Sequence, residues 1–295
     1  MNNHIGVPLT LLSITPDTEI GIIEMGANHR KEIAFLCTIA NPDYGYITNF
    51  GKAHLEGFGS IEGVIEAKSE LYDYIETNKK PVFVNPNDSI QVERTEKINR
   101  IFFNNSIQLL EANPFVKVAI ENNTIQTHLI GNYNYNNIAA AITIGMYFNV
   151  SLNNITKALE GYTPQNNRSQ VINTQNNNTI ILDAYNANPS SMKVALDNFS
   201  QLKSSNKVVI LGDMFELGAN STDEHQFIVD YCNSLALEQC CFVGELFNNT
   251  TTSHQQFVSF EQLENYLTEQ QFQNTHLLVK GSRGMALERV LKYIS

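Results

Sequence analysis

The sequence predicts an α/β fold in two parts, and three observations carry that expectation. The first 80 residues alternate apolar strand-like runs with amphipathic helical stretches, residues 81–129 break into short β-rich runs, and after residue 164 four more apolar runs alternate with amphipathic helices. The chain has 295 residues, of which 42% are hydrophobic, enough for one large or two medium cores, and 17% charged residues argue against disorder.

In order along the chain, Glu19 to Met25 reads as a buried strand, and Ile33, Leu36, Cys37 and Ala40 form the inward stripe of a helix that Asn41-Pro42 ends. Tyr44 to Asn49 reads as the next strand. A Gly-rich loop covers Gly51 to Gly59, and Ser60 caps a helix reaching about Thr77. Val116, Val118 and Ile120, followed by Ile125, Thr127 and Leu129, form a hairpin pattern around Asn122-Asn123, which adds a small antiparallel patch to a mainly parallel sheet. Helices are expected over Ile138 to Phe148 and around Ile155 to Leu159, the latter ending at Gly161, with a domain boundary near Thr163. Beyond it, strands at Thr179 to Ala184, Lys207 to Gly212, Cys240 to Gly244 and His276 to Lys280 make a Rossmann-like layout without the dinucleotide fingerprint.

Lys and Arg total 19 against 30 Asp and Glu, a net charge of -11, which opposes attraction to phosphate backbones or anionic lipid, so no nucleic-acid partner is expected. Cys37, Cys232, Cys240 and Cys241 form no C-x-x-C pair and read as reduced thiols of a cytoplasmic protein. The opening MNNHIGVPLTLLSITPD lacks the basic start and small-residue cleavage site of a secretory signal, and the run Ile138 to Phe148 is too short to span a bilayer, so membrane insertion is not expected.

Lys68 is the most informative residue. On the helix after Ser60 it falls in the middle of the stripe formed by Ile61, Val64, Ile65, Leu71, Tyr72 and Ile75. One reading is a stem that packs while its ammonium reaches water; the other is a lysine whose charge is suppressed or chemically altered. Glu24 ends its strand just before Gly26-Ala27-Asn28, at the edge where open α/β sheets bind ligands, although an exposed strand-end carboxylate has the same pattern. His54 follows the next strand at the same edge, so three polar groups converge on one crevice. A carboxylate, an imidazole and a modified lysine could hold a hard cation against a polyphosphate, though a His is less usual than oxygen for magnesium. No G-x-x-x-x-G-K-S/T phosphate loop occurs; Gly51-Lys52-Ala53 reads as a turn, and Gly57 and Gly59 do not extend to a full Gly-rich fingerprint.

Several stretches, taken together and in order, resemble the MurF type of the Mur ligase family over essentially the whole chain: NNHIGVPLTLL, IIEMGANHRKEI, ITNFGKAHLEGFGSIEGVIEAKSELY, GNYNYNNIAAA, LDAYNANPSSM, LGDMFELG with Ser221 and His225 after it, and VKGSRGM. DAYNANPSSM and GDMFELG look like MurF rather than the relatives that add a single amino acid.

The resemblance implies three domains: one for the UDP-sugar peptide, a central ATPase domain, and a C-terminal Rossmann-like domain. This chain would supply the last two, as 1–163 and 164–295. The family's phosphate loop lies just before the N-N-x-I-G-V-P-L-T segment with which the sequence begins, so the chain alone is expected to be inactive. Glu24 and His54 correspond to the family's magnesium ligands, and Lys68 to its carbamylated lysine; these three are the expected catalytic residues. Carbon dioxide adds to a neutral amine, and an unmodified lysine titrates at about 10.4 in water, so partial burial favours the reaction. Asn137 corresponds to the adenine-reading Asn, with Tyr133 where the motif has His; Arg168 corresponds to the Arg that reaches the ATP phosphates, and Asp183 to the Asp near the ribose. Asn188 followed by Pro189 reads as a helix N-cap, Tyr185 and Asn186 are substrate-contact candidates, and Lys280, Ser282 and Arg283 sit where strand meets helix, with Arg283 a candidate for a substrate carboxylate.

The implied reaction uses ATP and magnesium to join D-Ala-D-Ala to a UDP-N-acetylmuramoyl-tripeptide through an acyl phosphate, in peptidoglycan precursor synthesis and hence in cell shape and division. A monomer is expected. The alternatives are a non-catalytic remnant or nucleotide-binding subunit, or another ligase of the superfamily such as a folylpolyglutamate synthase, against which DAYNANP and GDMFELG speak.

Overall fold

The computed structural model describes residues 2–52, 54–204 and 206–294. They fall into two compact units, one of residues 1–105 and 139–149, the other of residues 106–138 and 150–295.

The first unit opens with helices α1 (Gly6–Leu12), α2 (Glu32–Ala40), α3 (Leu55–Phe58) and α4 (Ile61–Thr77), followed by β1 (Pro81–Val84), α5 (Ser89–Arg94) and β2 (Asn99–Phe102). Ser60 starts α4 as expected: its backbone is extended and its Oγ accepts from the Gly63 N–H at 3.1 Å, satisfying one of the amides a helix start leaves unpaired. Tyr72 and Ile75 of α4 bury against Ile47, Phe50, Val82, Val84 and Ile98. Ile33, Leu36 and Cys37 of α2 pack on Val7 of α1, and α2 ends at Asn41, which takes the left-handed conformation (φ 44°) at its C-cap.

Two expected strands are corrected. Residues 19–25 take no regular structure and pair with no strand among the described residues, and Ile22 is 85% exposed. A strand needs a neighbour to take its N–H and C=O groups; here Gly26 N–H donates to the Asn2 carbonyl at 2.8 Å and no ladder forms. The period-2 alternation survives: Ile23 and Met25 pack against the α1/α2 cluster while Ile20, Ile22 and Glu24 are exposed. Tyr44 to Asn49 contributes only a single parallel bridge, Gly45 to Val82, with Phe83 N–H donating to the Gly45 carbonyl at 2.9 Å. β1 and β2 form a parallel pair.

In the second unit, β3 (Gln108–Ala112), β4 (Phe115–Ile120) and β5 (Asn123–Ile130) form the expected antiparallel patch, with Ile120 opposite Asn123 across a tight turn. Helix α6 (Asn134–Tyr147) begins in this unit, and α7 (Leu152–Gly161) follows it. Then come β6 (Gln170–Asn173), β7 (Thr179–Asp183), α8 (Pro189–Ser200), β8 (Lys207–Gly212), α9 (Ser221–Asn233), β9 (Gln239–Val243), α10 (Glu245–Asn248), β10 (Gln255–Phe257), α11 (Phe260–Glu269), β11 (His276–Lys280) and α12 (Leu291–Ile294). The sheet order is β10-β9-β8-β11-β7-β6, parallel except for β6 against β7.

Every residue of β8 is buried, which requires cover on both faces. Val209 and Leu211 point into a core with Met192, Leu196 and Phe199 of α8 and Ile228, Val229 and Cys232 of α9. Val208 and Ile210 point into the opposite core with Leu263 and Leu267 of α11 and Ile294 of α12. Asn188 caps α8 through a reciprocal pair: its Oδ1 accepts from Ser191 N–H at 2.9 Å while Ser191 Oγ accepts from Asn188 N–H at 3.0 Å, with Pro189 in the first turn. The compact units are not consecutive stretches, as a division at 163/164 would make them. The β3–β5 patch and α7 count with the second unit, where Asn132 N–H is bonded to Asn198 Oδ1 at 3.0 Å. The four cysteines are buried and free, and among the described residues no helix is long and apolar enough to cross a membrane.

Candidate active site

In the first unit the segment after Glu24, the loop after His54 and helix α4 are drawn together by specific contacts. Ala27 packs on Leu55, Phe58, Val64 and Ala67. Gly57 approaches the segment so closely that a Cβ there would lie 2.0 Å from the Asn28 carbonyl oxygen, so only glycine fits. From α4, Glu70 accepts the backbone N–H groups of Lys31 (2.6 Å) and Ala34 (2.9 Å) at the start of α2, and Glu66 pairs with Arg30 at 2.8 Å. Lys68 therefore projects from a helix that is itself tied to the Glu24 segment.

Lys68 is half-buried, its Nζ donates to the Asn49 carbonyl at 2.7 Å, and burial lowers its pKa below the ordinary lysine value. Both features differ from a fully snorkelled side chain, whose ammonium would stay in water. Glu24 is exposed and its Oε1 accepts from Asn2 Nδ2 at 3.0 Å. His54 sits at the N-cap of α3 in the left-handed conformation (φ 52°), its ring edge-on to Phe58. Ala53, the last position of the Gly51-Lys52-Ala53 turn, lies outside the described residues. Among the described residues no group of three or more His, Cys, Asp and Glu side chains is gathered for a metal. As it stands the Lys68 amine is a donor and cannot ligate; as a carbamate it would add anionic oxygen to the Glu24 carboxylate and the His54 imidazole, a set that suits a hard divalent cation.

The other candidates lie in the second unit. Asn137 is exposed near the start of α6, its Nδ2 donating to Asn134 Oδ1 at 2.9 Å. Arg168 is exposed and its guanidinium carbon stands 3.6 Å from the centre of the Tyr185 ring. Asp183 ends β7, where Oδ1 accepts from Ser169 N–H at 3.0 Å and Oδ2 from Lys280 Nζ at 2.5 Å; Lys280 is only 2% exposed. Asn186 is exposed, its carbonyl accepting from Lys280 at 3.2 Å, and Arg283 pairs with Glu288 at 3.1 Å.

Sequence reasoning missed two arrangements. Glu70, in the same AKSE tetrapeptide as Lys68, holds the start of α2, and its spacing two residues from Lys68 is the signal that marks it. Asp213 and His225 form a buried pair at the end of β8: Asp213 accepts from Leu246 N–H (3.0 Å) and Phe247 N–H (2.9 Å), and His225 Nε2 accepts from Met214 N–H at 3.0 Å. Burial pushes the Asp213 carboxyl up and the His225 imidazole down, while the two backbone N–H groups that Asp213 accepts oppose its shift. Gly244 (φ 121°) is required there, because a Cβ would come within 2.2 Å of the Asp213 carboxylate.

These two units, a partial α/β sheet followed by a doubly wound one, are those of a Mur ligase. The model of the Mur ligase middle domain matches residues 1–145, and that of the Mur ligase glutamate ligase domain matches residues 167–291. The UDP-N-acetylmuramoyl-tripeptide–D-alanyl-D-alanine ligase of Bacillus subtilis is 32% identical over 99% of this chain and 67% of its own length. MurF from Acinetobacter baumannii superimposes with a TM-score of 0.83 at 28% identity, over 99% of this chain and 68% of that one. MurF from Thermotoga maritima, solved in complex with ADP, shares the fold with a TM-score of 0.85 at 23% identity, over 99% of this chain and 71% of that one. The chain belongs to the Mur ligase family, in its MurF branch, and spans about two thirds of the length of these relatives.

Proposed function

We propose that the protein uses ATP to join D-alanyl-D-alanine to a UDP-N-acetylmuramoyl-tripeptide, the reaction for which its relatives are named. The observation that carries the site reading is Lys68: a half-buried lysine of lowered pKa, on a helix tied to the segments bearing Glu24 and His54. Glu24, His54 and the Lys68 carbamate would hold magnesium, which when bound supplies positive charge against the phosphates. The family-model spans, 1–145 and 167–291, support a functional division into 1–163 and 164–295.

In this reading the tripeptide carboxylate attacks the γ-phosphorus of ATP, the bond to ADP breaks, and the amine of D-Ala-D-Ala displaces phosphate from the acyl phosphate to give the amide. Asn137 reads the adenine, Arg168 reaches the phosphates and Asp183 stands near the ribose, with Lys280 fixing its second oxygen. Tyr185, Asn186 and Arg283 are exposed at the carboxyl edge of the second sheet, available to peptide substrate. The placement is cytoplasmic and the protein a monomer. The protein should release ADP and phosphate only when ATP, magnesium, the tripeptide precursor and D-Ala-D-Ala are all present; ATP turnover indifferent to the dipeptide would contradict the reading.

Glu24→Ala and His54→Ala should each raise the magnesium concentration for half-maximal rate while leaving the thermal midpoint nearly unchanged, because Glu24 is exposed and His54 lies at a helix cap outside the buried core. Titrating magnesium and melting the same two variants checks this. A fallen midpoint with normal magnesium dependence would make the two residues structural.

A further inference from the structure

A continuous series of polar contacts crosses the second unit from the turn before α6 to the end of β11. The Tyr133 hydroxyl and Ser169 Oγ are 2.7 Å apart, and Ser169 N–H donates to Asp183 Oδ1 at 3.0 Å. Asp183 Oδ2 in turn accepts from Lys280 at 2.5 Å. Arg168, next to Ser169 in the chain, stacks its guanidinium on Tyr185.

Asn166 and Asn167 (φ 59° each) are left-handed, a conformation asparagine adopts readily, and Ser169 (φ 48°) is left-handed too, which a serine keeps where surrounding contacts hold it. Two contacts come from the Asp183 strand end: Ser169 N–H to Asp183, and Tyr185 N–H to the Asn167 carbonyl at 3.1 Å. The third is Tyr133, which reaches the loop from the turn just before α6, the helix that carries Asn137. Burial pushes the Tyr133 hydroxyl up to about 12, so it stays protonated and able to bond Ser169 throughout the physiological range. Gly131, Tyr133, Ser169, Asp183 and Asn198 are among the residues lining a cavity of about 20 Å³, room for about one water.

We propose that Tyr133 is a positioning residue for the nucleotide phosphates: by holding Ser169 it fixes the left-handed 166–169 loop and thereby aims Arg168 toward the nucleotide whose base Asn137 reads. The inference rests on the proposed roles of Arg168 and Asn137. Tyr133 stands where the family motif has His, so the device is a feature of this chain's own sequence. The bond acts on the phosphate end of the ligand and not on the base, because the loop it fixes carries Arg168 while Asn137 is held by Asn134 on its own helix.

The test is equilibrium binding of ADP and of adenosine, with magnesium present, to the 295-residue chain and to Tyr133→Phe, Ser169→Ala and the double variant. Each single variant should weaken ADP about fivefold, the loss expected of one hydrogen bond. Adenosine should be unchanged, and the double variant should be no weaker than either single one. Wild-type binding with unchanged ADP affinity in Tyr133→Phe would overturn the inference and leave the proposed function standing. Equal losses for ADP and adenosine would also overturn it, making the tyrosine merely structural. A wild-type chain that binds no ADP would remove the roles of Arg168 and Asn137, and this inference with them.

Discussion

Lys68→Ala should lower the ligation rate by about 10²–10³, the scale of losing one pre-organised electrostatic group at a reacting centre. Its stability should move by less than about 1 kcal/mol, because what is lost is part of a stem and a desolvated amine whose charged form the site already disfavours. Short carboxylic acids added to the assay should restore part of the rate by replacing the carbamate oxygens. The pH dependence has a definite sign. With the folded pKa below the unfolded one, the folded state binds fewer protons between the two values, so Lys68 contributes increasing stability as pH rises through that window and none of it below. The neutral, reactive amine grows in the same direction, so carbamate occupancy at fixed dissolved carbon dioxide should rise with pH. Phosphate release, thermal melting and a pH series check the three statements; wild-type turnover in Lys68→Ala would return the residue to a packed surface lysine.

Asp183→Ala should cost about 3–5 kcal/mol of stability, more than any other substitution of a candidate site residue, because it leaves the buried Lys280 ammonium without its carboxylate. It also strips the Ser169 N–H of its acceptor. The companion change Lys280→Met should be milder, since a buried methionine needs no partner and Asp183 keeps its bond from Ser169. Denaturant unfolding of the three proteins checks the order. A small loss in Asp183→Ala would mean that the Asn186 carbonyl, which already accepts from Lys280 at 3.2 Å, is enough to hold the ammonium.

Where the signal is local, the sequence was easy to read. Ser60 and Asn188 cap the helices they precede because side-chain capping is decided within four residues. Four of the six strands of the second sheet, β7, β8, β9 and β11, were legible because each is a short apolar run buried on both faces, whereas the edge strands β6 and β10, which are more exposed, were not. The first sheet was less so. Residues 19–25 have the composition and alternation of a strand, but pairing is a property of neighbours and not of the run itself. The membership of the β3–β5 patch in the second unit was equally hidden, since it depends on contacts such as Asn132 with Asn198, 66 residues apart.

In the candidate site, the misplacement of Lys68 on an apolar stripe was visible from periodicity, and the structure shows what that misplacement does to the amine. The Lys280–Asp183 pair was not visible. Both residues belong to recognisable segments, but they stand 97 positions apart and nothing between them signals that two parallel strands set their ends side by side. Nor does sequence reveal that Tyr133 meets Ser169, for the same reason.

The central claim, that Lys68 is a carbamate-forming lysine at the ligase site, is tested most directly by carbon-13 NMR of the protein equilibrated with labelled bicarbonate. A carbamate resonance should appear, strengthen as pH rises, and be missing from Lys68→Ala. A wild-type protein that shows no such resonance at saturating carbon dioxide, or a resonance that persists in Lys68→Ala, would contradict it.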